Sequence, residues 1–154
     1  MSLLLFSGGL PPPILTRLSA MGYSAAAAWS VSRRLRAAYP GPLLRVRRST
    51  DNAEQDIGYL GSGALDAAVL LAFCGAGSGF VAKVYDQGGG GFDMVQATAA
   101  AQPRIVNSGA LDTMGALARP AMNFVGASKK LENASFAHGA AATVNVVAVA
   151  DGRS

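Results

Sequence analysis

The sequence predicts a mainly β, antiparallel fold with two short helices, and three observations carry that expectation. Phe80, Ala82 and Val84 alternate with Val81, Lys83 and Tyr85 before an abrupt stop at Asp86-Gln87, the pattern of a strand entering a turn. Gly88 to Gly91 then open backbone conformations closed to other residues, and Phe92, Met94 and Gln96 alternate with Asp93, Val95 and Ala97 on the far side. Leu44 and Val46 alternate with Arg45 and Arg47, a strand with one buried and one wet or ion-paired face.

The remaining elements follow in chain order. Leu3, Leu4, Leu5 and Phe6 form an apolar plug, and Ser7-Gly8-Gly9-Leu10-Pro11-Pro12-Pro13 reads as a flexible and then stiff stalk, because consecutive prolines favour extended geometry. Ile14 to Met21 suits a helical turn, with Pro13 favourable at its start and Gly22 ending it. The first of the two helices is expected over 24–38, where Ser24 stands as N-cap before four alanines and Pro40-Gly41-Pro42 stops the run. Asp56 to Leu60 reads as a short strand. The second helix is expected over 65–73, with Asp66 in its first turn and Gly75 beyond its end. Pro103 starts a strand at Arg104-Ile105-Val106, Asn107-Ser108-Gly109 turns the chain, and 121–125 and 143–149 complete the strand signals. The chain divides into an N-terminal arm and stalk, 1–22, and a β domain, 23–154.

At 154 residues, the domain can bury a sizeable core. Hydrophobic residues make up 51% and charged residues 14%, which is apolar for a free monomer and favours burial against other chains, so a homo-oligomer is expected. The formal net charge is +4, and Arg33, Arg34, Arg36, Arg45, Arg47 and Arg48 crowd into one stretch. Asp51, Glu54 and Asp56 follow at once, no interleaved aromatics or zinc-finger spacing appear, and ion pairing is the simpler use of those arginines than nucleic acid. No run is long enough to span a membrane, and Met1 to Phe6 lacks the basic start of a secretory signal.

Chemical motifs are sparse. The glycine run lacks the Lys-Ser/Thr of a phosphate loop and is more simply a turn. The acids around Asp51 and around Asp86 match no calcium-loop spacing, so no metal or other cofactor is expected. Cys74 sits in an apolar setting as a small core residue, and His138 has no nucleophile pattern around it. Asn133-Ala134-Ser135 is a formal glycosylation sequon, relevant only in a secretory context. Tyr85, Asp86, Gln87, Phe92 and Asp93 give a mixed aromatic and hydrogen-bonding edge of the kind sugar sites use, and a purely structural turn explains the same five residues.

Tyr85-Asp86-Gln87, the glycine turn and the run from Gln96 to Asn107 resemble a concanavalin A-like β-sandwich module. That module occurs in bacterial and phage-encoded surface or virion proteins and in the catalytic domain of fungal α-L-arabinofuranosidases. The resemblance extends upstream through 32–39, Arg45 to Ser49 and Asp51 to Gly58, and so covers roughly residues 29 to 150. It implies a concanavalin A-like jelly-roll sandwich, here short of the usual number of strands, carrying two short helices and an extended N-terminal arm. Two functional expectations follow from it. The leading one is a non-enzymatic virion protein of a phage or phage-like particle, made in the bacterial cytoplasm and placed in a fibre, spike or baseplate. Leu3, Leu4, Leu5 and Phe6 would anchor it to other virion proteins, and the domain would assemble or contact a host surface glycan. The alternative is a carbohydrate-active enzyme of the arabinofuranosidase type, or a free carbohydrate-binding module. Glycoside hydrolysis takes two carboxylates; the matched motifs resemble the early part of the arabinofuranosidase domain, whose catalytic acids lie in regions with no counterpart here, so no catalytic residue is assigned.

Overall fold

A computed structural model describes residues 12–126 and 128–135. The plug at Leu3 to Phe6, His138 and the expected strand over 143–149 lie outside the described residues. The domain is mainly β. Its strands are β1 (Leu44–Arg48), β2 (Glu54–Ile57), β3 (Gly79–Val84), β4 (Met94–Val95), β5 (Arg104–Asn107), β6 (Ala110–Leu111), β7 (Thr113–Met114) and β8 (Arg119–Pro120). Two short α-helices, α1 (Ile14–Ala20) and α2 (Ala67–Cys74), accompany them.

The main sheet runs β2-β1-β3-β5-β6, entirely antiparallel, while β7 and β8 form a separate hairpin. Strand β3 is its axis. One edge of β3 pairs with β1 along its whole length, and the other edge is divided, with Lys83 and Val84 facing β4 and Gly79 and Phe80 facing β5. Register sorts the side chains onto two faces. Leu44, Val46, Ile57, Val81 and Val84 point to one side and are fully or nearly fully buried with Leu43, Leu65, Leu70, Ile105 and Val106. Arg45, Arg47, Asp56, Glu54, Lys83, Phe80 and Arg104 pair across strands on the other side.

Helix α2 closes the buried face. Asp66 caps it by accepting the backbone N–H of Val69 at 3.1 Å, and Gly75 ends it at φ +56°. Leu70 and Cys74 are its buried side chains. A Cβ on Gly79 would stand 2.7 Å from Cys74 Sγ, 3.1 Å from Val46 Cγ1 and 3.3 Å from Val106 Cβ, so the absent side chain at 79 is what lets α2 seat on the sheet. Burial pushes the Cys74 thiol above its ordinary pKa, consistent with an inert core residue.

The helix expected over 24–38 does not form. That stretch lies extended and bent, bridging Arg33 to Ala64, and its backbone bonds go elsewhere: Ala28 N–H to Asp86, Leu35 N–H to Gln87, Arg34 N–H to the Gly63 carbonyl. The alanines favour a helix intrinsically, but distant acceptors hold the chain open. The shorter turn read at Ile14 to Met21 is α1, with Pro13 before it and Gly22 at φ +83° after it. It docks on the same stretch, Leu15 N–H to the Leu35 carbonyl and Ala37 N–H to Thr16 Oγ1. The strand read at Asp56 to Leu60 begins earlier, as β2, and 121–125 contributes only a bridge between Asn123 and Arg104. The Ser108-Gly109 turn forms as expected, both residues at positive φ.

Candidate functional site

Two constructions stand out around β3: a buried lock at its C-terminal end and a polar, aromatic face across its exposed side.

The lock is built on Asp86, which is 6% exposed. Its Oδ1 accepts the backbone N–H of Ala28 at 2.8 Å and of Gly88 at 2.7 Å, and its Oδ2 accepts those of Gly90 at 3.0 Å and Phe92 at 3.2 Å. Gln87, 1% exposed, accepts the Leu35 N–H through Oε1 at 2.6 Å and donates to the Arg33 carbonyl at 3.3 Å. Arg36 Nη2 reaches the Gly88 carbonyl at 2.7 Å, and Trp29 Nε1 donates to the Phe92 carbonyl at 2.7 Å. The glycines serve this crossing. A Cβ on Gly88 would lie 2.8 Å from Ala27 Cα, and one on Gly90 would lie 2.5 Å from the Ala26 carbonyl oxygen. Glycine on one side and alanine on the other let two backbones touch.

Asp93 completes the loop by accepting the Asp86 N–H at 2.9 Å and pairing with Lys83 at 3.2 Å. Tyr85 turns outward and donates its hydroxyl to Asp56 Oδ1 at 2.8 Å. The five residues read from sequence as a sugar-binding edge are thus gathered at one turn. The polar atoms of Asp86 and Gln87, and at least part of those of Tyr85 and Asp93, are spent on internal bonds.

The exposed face of the sheet is laid out by register. Arg45 clamps Asp56 through Nε at 2.7 Å and Nη2 at 3.0 Å, and this pairing holds the Asp56 carboxyl below the usual carboxylate range. Burial and the bond to Asp56 push the Tyr85 phenol up to about 12. Arg104 holds Asp112 at 2.8 and 3.2 Å. Two grooves of about 330 Å³ each open on this side. One lies against Arg45, Glu54, Lys83 and Gln96, the other against Phe80, Arg104, Asn123 and Lys129. Neither groove was legible as a site from sequence, although the Arg45/Arg47 alternation marked the face that carries them.

Carboxylates decide what chemistry the described residues can perform. Asp51 pairs with Arg48, Asp56 with Arg45, Asp93 with Lys83, Asp112 with Arg104 and Glu132 with Lys130, while Asp66 caps α2 and Asp86 holds the lock. Among the described residues, Glu54 is the carboxylate left without a hydrogen bond or ion pair. Hydrolysis of a glycosidic bond takes two carboxylates, and every other carboxylate among the described residues is engaged in an ion pair, a helix cap or the lock.

The model of the family described as "Alpha-L-arabinofuranosidase B, catalytic" matches residues 18–146. An α-L-arabinofuranosidase of Hypocrea jecorina is 40% identical over 79 residues, 51% of this chain and 16% of that protein. An arabinofuranosidase/β-xylosidase of Trichoderma koningii is 41% identical over 73 residues, 47% of this chain and 15% of that protein. The solved structure of a GH54 α-L-arabinofuranosidase soaked with a cyclic sulfate inhibitor superposes with a TM-score of 0.52 at 28% identity, covering 55% of this chain and 18% of the other. An arabinofuranosidase complexed with arabinofuranosyl-α-1,2-xylobiose gives the same figures. The chain therefore spans about a sixth of the length of these curated relatives. These matches overturn the virion reading. Its dependent expectations fall with it: the non-enzymatic role, the fibre or baseplate position and residence in a phage particle made in the bacterial cytoplasm. The resemblance to the arabinofuranosidase catalytic domain stands, and fold alone did not license the step from a concanavalin-like module to a virion role. With the family model spanning most of its length, the chain belongs to the α-L-arabinofuranosidase B catalytic-domain family.

Proposed function

We propose that this chain is part of a carbohydrate-active enzyme of the α-L-arabinofuranosidase type, which cleaves terminal arabinofuranosyl units from a glycan. The observation that carries the reading is the family match over residues 18–146, supported by relatives whose names specify arabinofuranosides. Within such an enzyme the lock at Asp86 fixes the end of β3 against the 26–36 segment. The sheet face with Arg45, Phe80, Tyr85 and Arg104 supplies the aromatic and hydrogen-bonding surface that a sugar requires. Glu54 projects from that face with its carboxylate uncommitted, and a second carboxylate from outside the described residues would complete a hydrolytic pair. The test is release of 4-nitrophenol from an aryl α-L-arabinofuranoside by the protein that carries this chain. Turnover is expected; no release above the spontaneous rate would overturn the reading.

A further inference from the structure

The groove beside Phe80 is cationic and presents donors. Arg47 spends its guanidinium on neutral acceptors, Gln102 Oε1 at 2.8 Å and Asn52 Oδ1 at 2.7 Å, with Cζ 4.9 Å from the Phe80 ring centroid. Lys129 Nζ lies 5.6 Å from the same centroid and donates to the Ala100 carbonyl at 2.8 Å. Arg104 lines the groove and is answered by Asp112. Glu54 stands opposite Arg47 in the β1–β2 register without pairing to it. Even counting Glu54, three cations meet two carboxylates there. Two neutral lining residues add donors: Asn123 uses its Oδ1 for the Val125 N–H, leaving its amide N–H groups, and Ser78 Oγ accepts from Ser108, leaving its hydroxyl proton.

A donor-rich cavity of about 330 Å³ with excess positive charge and an aromatic wall calls for a small, acceptor-rich anion carrying an apolar ring face. We propose that this groove is a subsite for a carboxylate-bearing sugar, a hexuronic acid unit of an oligosaccharide. Its carboxylate meets Lys129 and Asn123, and its ring packs beside Phe80. The inference rests on the carbohydrate reading above and adds to it an acidic substrate class.

The experiment titrates the chain with a xylo-oligosaccharide bearing one glucuronic acid, and with neutral xylobiose as control, following backbone amide shifts by NMR. Saturable shifts around Ser78, Phe80 and Asn123 are expected with the acidic ligand only. Affinity should weaken about tenfold in Lys129→Ala, the size of one charge-assisted hydrogen bond, and severalfold when salt rises from about 20 mM to about 300 mM. Lys129 lies at the surface, and an unchanged far-UV spectrum confirms that the variant folds. Equal binding of the neutral sugar, unchanged affinity in Lys129→Ala, or no saturable binding at all would each overturn the subsite. Turnover of the uncharged aryl arabinofuranoside tests the parent reading separately, so the two can fail independently.

Discussion

Asp86 Oδ1 accepts the backbone N–H of Ala28 at 2.8 Å across 58 residues of sequence. The same carboxylate satisfies three further N–H groups of its own loop, so one side chain defines both the turn and what crosses it. Removing it leaves four donors short of this acceptor, the Gly88 N–H in a buried setting and those of Ala28, Gly90 and Phe92 in half-buried ones. Asp86→Ala should cost about 2 to 4 kcal/mol, read by urea denaturation, because the buried Gly88 donor carries its desolvation penalty in full and the half-buried donors carry part of theirs. Asp86→Asn keeps one acceptor oxygen and should cost less. A loss below about 1 kcal/mol in the alanine variant would show that the lock is not structural.

Gly90→Ala should destabilise by about 1 to 3 kcal/mol, since its Cβ would collide with the Ala26 carbonyl and the Phe92 ring. Gly91 offers the contrast. It has φ +74° and open space around it, so Gly91→Ala meets only conformational strain, on the order of 1 kcal/mol. Equal costs at the two positions would contradict the backbone crossing.

The seat of α2 makes a coupled prediction. Gly79→Ala alone should lower stability by about 1 to 3 kcal/mol through overpacking against Cys74. In a Cys74→Ala background part of that cost should vanish, because the offending Sγ is gone. A double-mutant cycle with no coupling beyond about 0.5 kcal/mol would place the strain elsewhere.

Stability should fall at both ends of the pH range, for opposite reasons. Asp56 is held below its ordinary value by Arg45, so its contribution is present above the unfolded carboxylate pKa of about 3.9 and is lost as pH falls through the depressed folded value. The pair is substantially exposed, and the effect is correspondingly small. Tyr39 and Tyr85 are both pushed up to about 12, chiefly by burial. Their contribution is complete below the unfolded value of about 10 and disappears as pH rises toward 12. Denaturation midpoints measured across pH should therefore drop below about pH 4 and again between about pH 10 and 12, and Tyr85→Phe should flatten the alkaline limb. An alkaline limb identical in that variant would rule Tyr85 out.

What the sequence disclosed, it disclosed through local pattern. Leu44/Val46 against Arg45/Arg47 and the run from Phe80 gave the two central strands, because a sheet buried on one face writes its period into the chain. Asp66 and Gly75 bracketed α2 to within two residues. The alanines at 25–28 pointed the wrong way: their small size serves contact with Gly88 and Gly90, and no local signal distinguishes that from helix propensity. Strands β6, β7 and β8 are two residues each, too short to carry a period. The aspartate beside four glycines was visible, but its partner at Ala28 was not, and neither were the grooves, whose walls come from strands distant in sequence.

The lock also sets an order of events. Its bonds close loops of 52 to 63 residues, from Leu35 and Arg36 to Gln87 and Gly88 at the short end and from Trp29 to Phe92 at the long end. Closing such loops costs chain entropy before any bond returns it, which slows folding relative to local hairpins. The turn after β3 therefore cannot mature as an independent hairpin: until the 26–36 segment arrives, Asp86 faces water with one of its four donors missing and the glycines have nothing to receive. Maturation of this turn is thereby timed to the return of a segment synthesised some fifty residues earlier.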